Sequence, residues 1–182
     1  MDTKTNVKIV LGSYDENPHL YHEKYLGNLS EWIISDINPR FPSIEKIDAR
    51  AIPYSGVTAL YASHILEHIA QKEVLPTLKH WNDVLELGGW VHINVPDVEF
   101  GLDMLMKLNN NEAIDNPYFK DREKINQIIN GTMESEFDTH KSWWTEDKLR
   151  LHLRAAGFVN IKVWKEYEAH DMICILAKAF KR

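Results

Sequence analysis

The feature that most limits what this 182-residue chain can fold into is the alternation of short, nearly unbroken apolar runs with stretches of helical periodicity. Val7 to Leu11 (VKIVL) ends at Gly12, Trp32 to Ile37 stops at Asn38-Pro39, Ile44 to Ala49 is a weaker third run, and Leu60 to Ser63 begins a fourth. Val74, Leu78, Trp81 and Leu85 then recur at helical spacing, with Leu75 widening the stripe and Pro76 close enough to the first turn to be tolerated. Gly88-Gly89 is expected to stop that helix, and Trp90 to Val95 to form a fifth strand closed by Pro96-Asp97. Strands apolar at nearly every position are buried on both faces, which predicts a doubly wound α/β domain with a mostly parallel sheet and helices on both faces.

Near the C-terminus, Thr145 is a good N-cap, Glu146 and Asp147 suit the positive end of a helix dipole, and Leu149, Leu153 and Ala156 form a buried stripe ended by Gly157. Ile161 to Trp164 and Met172 to Ala177 supply two last strands, read as an antiparallel pair that brings the sheet to seven. From about residue 98 to 141 the pattern changes. Helices are expected around Phe100 to Leu108 and Tyr118 to Asn130, joined by the polar NNNEAIDNP. This segment reads as an insertion over the carboxyl ends of the strands, where open α/β sheets bind ligands. A length of 182 residues suits a single domain spanning 1–182, and no internal repeat or linker-like tract divides it.

Composition narrows the function classes. A formal net charge of −6 disfavours a nucleic-acid partner. One cysteine, Cys174, excludes an intrachain disulfide and a cysteine metal cluster, and its place in MICILA predicts a buried thiol. No apolar run approaches the roughly 18 residues of a membrane span, and the first residues lack a signal-peptide core, so a cytoplasmic location is expected. The sequons at Asn28 and Asn130 then carry no consequence.

The stretch LYASHILEHI, followed by a helix and VLELGGWVHINVPD, resembles the region from the fourth to the fifth strand of class I S-adenosylmethionine (SAM)-dependent methyltransferases, especially small bacterial methyltransferase type 11-like proteins. THKSWWTEDKLRLHLRAAGFVNIKV resembles the His-Lys segment, helix, Ala-Gly-Phe turn and sixth strand of the same group. The resemblance covers nearly the whole chain and implies a Rossmann-like methyltransferase fold with SAM as cofactor. It also implies roles for particular residues. Asp36, at the end of the second strand, matches the carboxylate that accepts from both ribose hydroxyls; a turn-forming Asp before Asn-Pro is the plainer reading. Asp48 matches the position that receives the adenine amino group, or is a solvated loop acid. Ser63 and His64 match the strand end where the methyl group emerges.

The first loop departs from the family pattern. Class I enzymes place a Gly-x-Gly turn after the first strand so that backbone can approach the methionine portion without a Cβ. Here Gly12 alone remains, followed by Ser13 and Tyr14, although Asp36 keeps a separation that leaves room for the loop and a short helix from Tyr21 to Leu29. Methyl transfer asks the protein to position two reactants and, where the nucleophile carries a proton, to supply a base; His64 and His140 are candidates. Trp143 and Trp144 could form an apolar wall for a substrate, or be core bulk, and Lys141 could pair with an anionic group, or be solvated.

HILEH also fits the inverted zinc-peptidase pattern, in which His64 and His68 bind zinc and Glu67 activates water. That site needs one helix carrying all three residues and a third ligand, for which Glu134 and Glu146 are conceivable, whereas LYAS reads as a strand running into His64. No metal is therefore assigned from sequence. Three functions stay open: a methyltransferase acting on a small-molecule or glycan acceptor, a methyltransferase-like binding domain without catalysis, and, last, a zinc hydrolase.

Overall fold

A computed structural model describes residues 6–13, 23–167 and 172–182. Seven strands form one sheet: β1 (Val7–Leu11), β2 (Trp32–Asp36), β3 (Glu45–Lys46), β4 (Val57–Ser63), β5 (Leu85–Pro96), β6 (Phe158–Tyr167) and β7 (Ile173–Lys181). Their order is β3-β2-β1-β4-β5-β7-β6. β1 to β5 pair in parallel, and β7 inserts antiparallel between β5 and β6. The expected mostly parallel seven-stranded sheet with a C-terminal antiparallel pair is present.

Strand periodicity sorts the core into layers. Ile9 and Leu11 of β1 join the large cluster on one face, with Leu60 and Ala62 of β4 and Val91, Ile93 and Val95 of β5. Val74, Leu78 and Trp81 of α2 (Gln71–Val84) and Leu149 and Leu153 of α5 (Glu146–Ala155) complete that layer. Val10, Ala59 and Tyr61, the alternate residues of β1 and β4, face the other way and pack against Trp32 and Leu26, the latter from the short α1 (Glu23–Leu26). Cys174 is fully buried in β7, as its apolar surroundings predict. Thr145 caps α5, its side chain accepting from the Lys148 amide.

The Gly88-Gly89 pair does something other than stop α2. The helix ends at Val84; Leu85 is already extended, and its side chain is buried beside Val57 in the sheet. Both glycines lie inside the 12-residue β5. A Cβ on Gly89 would stand 2.9–3.2 Å from carbonyl oxygens of Glu86, Val57 and Thr58, where the β4–β5 register shifts. Close approach of two strands, rather than helix termination, requires the residue. β3 is shorter than the expected run, whereas β4, β6 and β7 extend beyond theirs.

Between β5 and α5 the chain forms α3 (Val98–Asn109) and α4 (Arg122–Asn130), with a 3-10 turn at Pro117–Lys120. They share a cluster of Met104, Ile114, Phe119, Ile125 and Ile128. Asp97 caps α3 and is buried against Lys165 Nζ at 2.6 Å. Among the described residues, no helix is long and apolar enough to cross a membrane.

Candidate functional site

Four strand ends make the site. β1 leads on one side to β2 and β3, while β4 lies on its other side, so the crevice forms where the strand order reverses. It encloses about 480 Å³, and Gly12, Asp36, Asp48, Ser63 and His64 all line it. The structure thus brings together every cofactor-contact residue assigned from sequence.

Gly12 follows β1 with φ +72, and a Cβ there would fall 1.8 Å from Ile65 Cδ1. Only glycine suits both the backbone angle and the neighbour. The side chain over Gly12 is Ile65, a crevice residue that sequence reasoning did not single out. Tyr14 lies outside the described residues, as do Tyr21 at the start of the expected loop helix, His19, His22 and His170.

Asp36 does two jobs. Its Oδ1 accepts from the Asn38 amide at 2.7 Å, the turn role that Asn-Pro suggests, while the carboxylate also lines the crevice. Partial burial pushes its pKa up, only partly offset by that amide bond. Asp48 differs in that Arg50 engages both of its oxygens, with Nη2 donating to Oδ2 at 2.8 Å and Nε to Oδ1 at 3.0 Å. The Arg50 hydrogen bond holds the Asp48 carboxyl below the usual range, outweighing desolvation. Arg50 also approaches Glu73 at 3.6 Å, and nothing in the sequence pattern marks this three-residue chain, because Glu73 arrives from α2.

At the end of β4, Asn94 donates to Ser63 Oγ at 3.3 Å, and the His64 amide donates to Asn94 O at 2.9 Å. His64 then turns with φ +54, and its Nδ1 lies 3.0 Å from Glu67 Oε1. The following residues form a 3-10 turn over Leu66–His68, not an α-helix. The helix that the inverted zinc-peptidase arrangement requires is therefore absent, and LYAS is strand up to Ser63, as the flanking pattern predicts.

The Leu66–His68 turn is also a docking point for a distant segment. Lys141 and Ser142 amides both donate to Glu67 O, at 2.6 and 3.0 Å, and Ser142 Oγ donates to Leu66 O at 2.8 Å. This carries His140 to His68, with ring centroids 5.1 Å apart. His140 does not line the crevice; His68 and Lys141 do. Trp144 is 1% exposed and belongs to the main core, while Trp143 is 47% exposed with its Nε1 donating to Ile129 O. Neither tryptophan lines the crevice, so of the two readings for the pair the packed one describes Trp144.

Glu67 is 1% exposed. Burial drives its pKa up, but the His64 hydrogen bond and the potential of His64, His68 and His140 outweigh this and hold it below the usual carboxylate range. Desolvation lowers the His140 pKa, against the pull of Glu67.

No family model matches the chain, and no curated protein matches it in sequence. Solved structures do match in fold. A SAM-dependent methyltransferase from Archaeoglobus fulgidus superposes with TM-score 0.60 at 16% identity, covering 97% of this chain and 86% of that one. One from Methanosarcina mazei gives 0.57 at 15%, covering 96% and 92%. The 1,6-didemethyltoxoflavin-N1-methyltransferase of Burkholderia thailandensis, solved with 1,6-didemethyltoxoflavin and S-adenosylhomocysteine, gives 0.56 at 12%, covering 96% and 70%. At such identities the likeness is one of architecture, and with the strand order and the crevice it shows that this chain has the Rossmann-like fold of the class I SAM-dependent methyltransferases.

Proposed function

We propose that this protein is a SAM-dependent methyltransferase that acts on a small-molecule or glycan acceptor. The observation that carries the reading is the convergence of Gly12, Asp36, Asp48, Ser63 and His64, spread over more than fifty residues of sequence, on one crevice at the carboxyl ends of the strands. Its volume of about 480 Å³ falls in the range of small-ligand sites. The chemistry of the residues fits the cofactor: Gly12 has no Cβ, and the Asp36 carboxylate keeps one oxygen beyond the Asn38 bond to accept ribose hydroxyls. Asp48, held by Arg50, would offer the lone pairs not taken by the guanidinium to the adenine amino group.

The bound cofactor supplies an electrophilic sulfonium methyl. The rest is positioning. Ser63 and His64, at the end of β4, would face the methyl group, and Lys141, which also lines the crevice, would offer a cation to an acceptor with an anionic group. His64 is the better-placed base. With Glu67 accepting from Nδ1–H, the basic nitrogen is Nε2, and the buried carboxylate fixes the ring and steadies the imidazolium that forms on proton uptake. His140 would take part from behind His68 rather than from the crevice wall.

One observation favours the second reading, a binding domain without catalysis: Ile65 covers Gly12, where methyltransferases bring the methionine portion of the cofactor. Calorimetry with SAM and S-adenosylhomocysteine separates the two. Binding by the native protein, abolished in Asp36→Ala, is expected; no detectable binding of either would defeat the enzyme reading. Mass spectrometry of candidate acceptors incubated with SAM then reads turnover.

A further inference from the structure

We propose that Glu67, His68 and His140 form a binding site for a divalent transition metal ion of the zinc type. Each residue offers one ligand atom, and the three atoms lie within 4.8 Å of one another. Zinc holds nitrogen and oxygen ligands at about 2.0–2.2 Å, which sets them roughly 3.4 Å apart in a tetrahedron, so modest side-chain rotations close the site.

Three further observations point to an ion rather than to a chance cluster. Glu67 is almost fully buried, and its Oε2 has no hydrogen-bond partner, while Oε1 is held by His64. A buried carboxylate oxygen left bare costs free energy that a cation would recover. His68 Nδ1 lies 3.2 Å from Thr139 O, and His140 Nδ1 lies 3.1 Å from Ile129 O. A carbonyl accepts only, so both rings carry their proton on Nδ1 and present the Nε2 lone pair, the tautomer that metal-ligating histidines adopt when an outer partner orients them. Finally, the backbone fixes the arrangement: the amides of Lys141 and Ser142 clamp the His140 segment onto Glu67 O.

The set is not the one that HILEH suggests. Glu67 is a ligand here rather than the base, His64 is its orienting neighbour, and the third ligand is His140 rather than Glu134 or Glu146. Two imidazoles and a carboxylate leave a fourth coordination position, the pattern of zinc sites that bind an exchangeable water or substrate atom. His68 also lines the crevice, so the ion would adjoin it.

The test uses protein prepared without a histidine tag and stripped with a chelator. Zinc is titrated in competition with a chromophoric chelator, cobalt(II) is added as a spectroscopic probe, and magnesium serves as the hard-ion control. One equivalent of zinc is expected to bind, cobalt to give the visible absorption of a low-coordinate site, and magnesium to bind neither. Glu67→Gln, His68→Gln and His140→Gln are each expected to weaken zinc binding at least 10-fold, and His152→Gln to stay within twofold. Cobalt should also shift the imidazole resonances of His68 and His140 in the native protein, a reading that needs no variant to fold. Absence of stoichiometric zinc, or zinc binding unchanged in all three folded variants, overturns the proposal. The readouts contain no SAM, so their failure is distinct from failure of the methyl-transfer reading.

Discussion

The crevice and the cluster that adjoins it at His68 are built in opposite ways. The wall formed by Gly12, Asp36 and Asp48 consists of residues at or just beyond the ends of three strands, and the two carboxylates are oriented by bonds to near neighbours: Asp36 to Asn38, Asp48 to Arg50. The Glu67, His68 and His140 nest joins residues more than seventy positions apart, and its central carboxylate is buried. The difference teaches where each kind of site gets its rigidity. A strand-end site inherits its geometry from the sheet, whereas the nest depends on one docked segment, clamped by Lys141, Ser142 and the Val98–Trp144 bond.

The two regions should therefore separate under mutation. The largest effect is expected from Asp36→Ala, which would remove the proposed charge-assisted bonds to the ribose: about a 100-fold or greater loss of SAM affinity by calorimetry, with zinc affinity within twofold of native. Equal loss of both would show that the wall and the nest are one cooperative unit. Next, Gly12→Ala places a β-carbon at φ +72 against Ile65, and chemical denaturation should show a loss of roughly 1–3 kcal/mol. Ile65→Ala sharpens the point. If Ile65 limits access to the cofactor, that single change raises SAM affinity, and combined with Gly12→Ala it returns part of the lost stability.

A smaller effect separates Asp36 by its protonation. In the proposed function it is the ionised carboxylate that would accept ribose hydroxyls, and burial raises its pKa above the ordinary 3.8. SAM affinity should consequently fall as pH drops through that raised value, approaching about tenfold per pH unit below it, and Asp36→Asn should remove the dependence. The same raised pKa has the reverse sign for stability of the free protein: Asp36 favours folding below the unfolded value and loses that contribution as pH rises through the folded one. An affinity profile that is identical in Asp36→Asn would assign the proton to another group. The smallest effect belongs to Arg50→Ala. The Asp48–Arg50 pair is partly exposed, so urea unfolding should register less than about 1 kcal/mol. A larger loss would mean that the Arg50–Glu73 link to α2 carries stability as well as orientation.

Much of the scaffold was legible because strand burial leaves a local signature. VKIVL, the Val74-Leu78-Trp81 stripe and the Thr145 cap each state their structure within a few residues. Gly88-Gly89 misled for an equally physical reason. A glycine pair after a helical stripe is ordinarily a stop, but burial of Leu85 against β4 ends the helix earlier and passes both glycines into the strand. His140 was singled out by its motif, yet its partners were not, because nothing local indicates that Glu67 O would receive Lys141 and Ser142.

The sequence by itself determined the alternation of strand and helix, the acidic residues at the end of β2 and after β3, and the glycine after β1. These are short-range consequences of periodicity and backbone sterics. Only the tertiary structure decided that Ile65 covers Gly12, that Arg50 occupies Asp48, and that Glu67 meets two histidines with one oxygen bare. Such contacts are set by which loops the sheet order and the segment between α4 and α5 bring together, and that proximity has no spacing that a linear pattern can record.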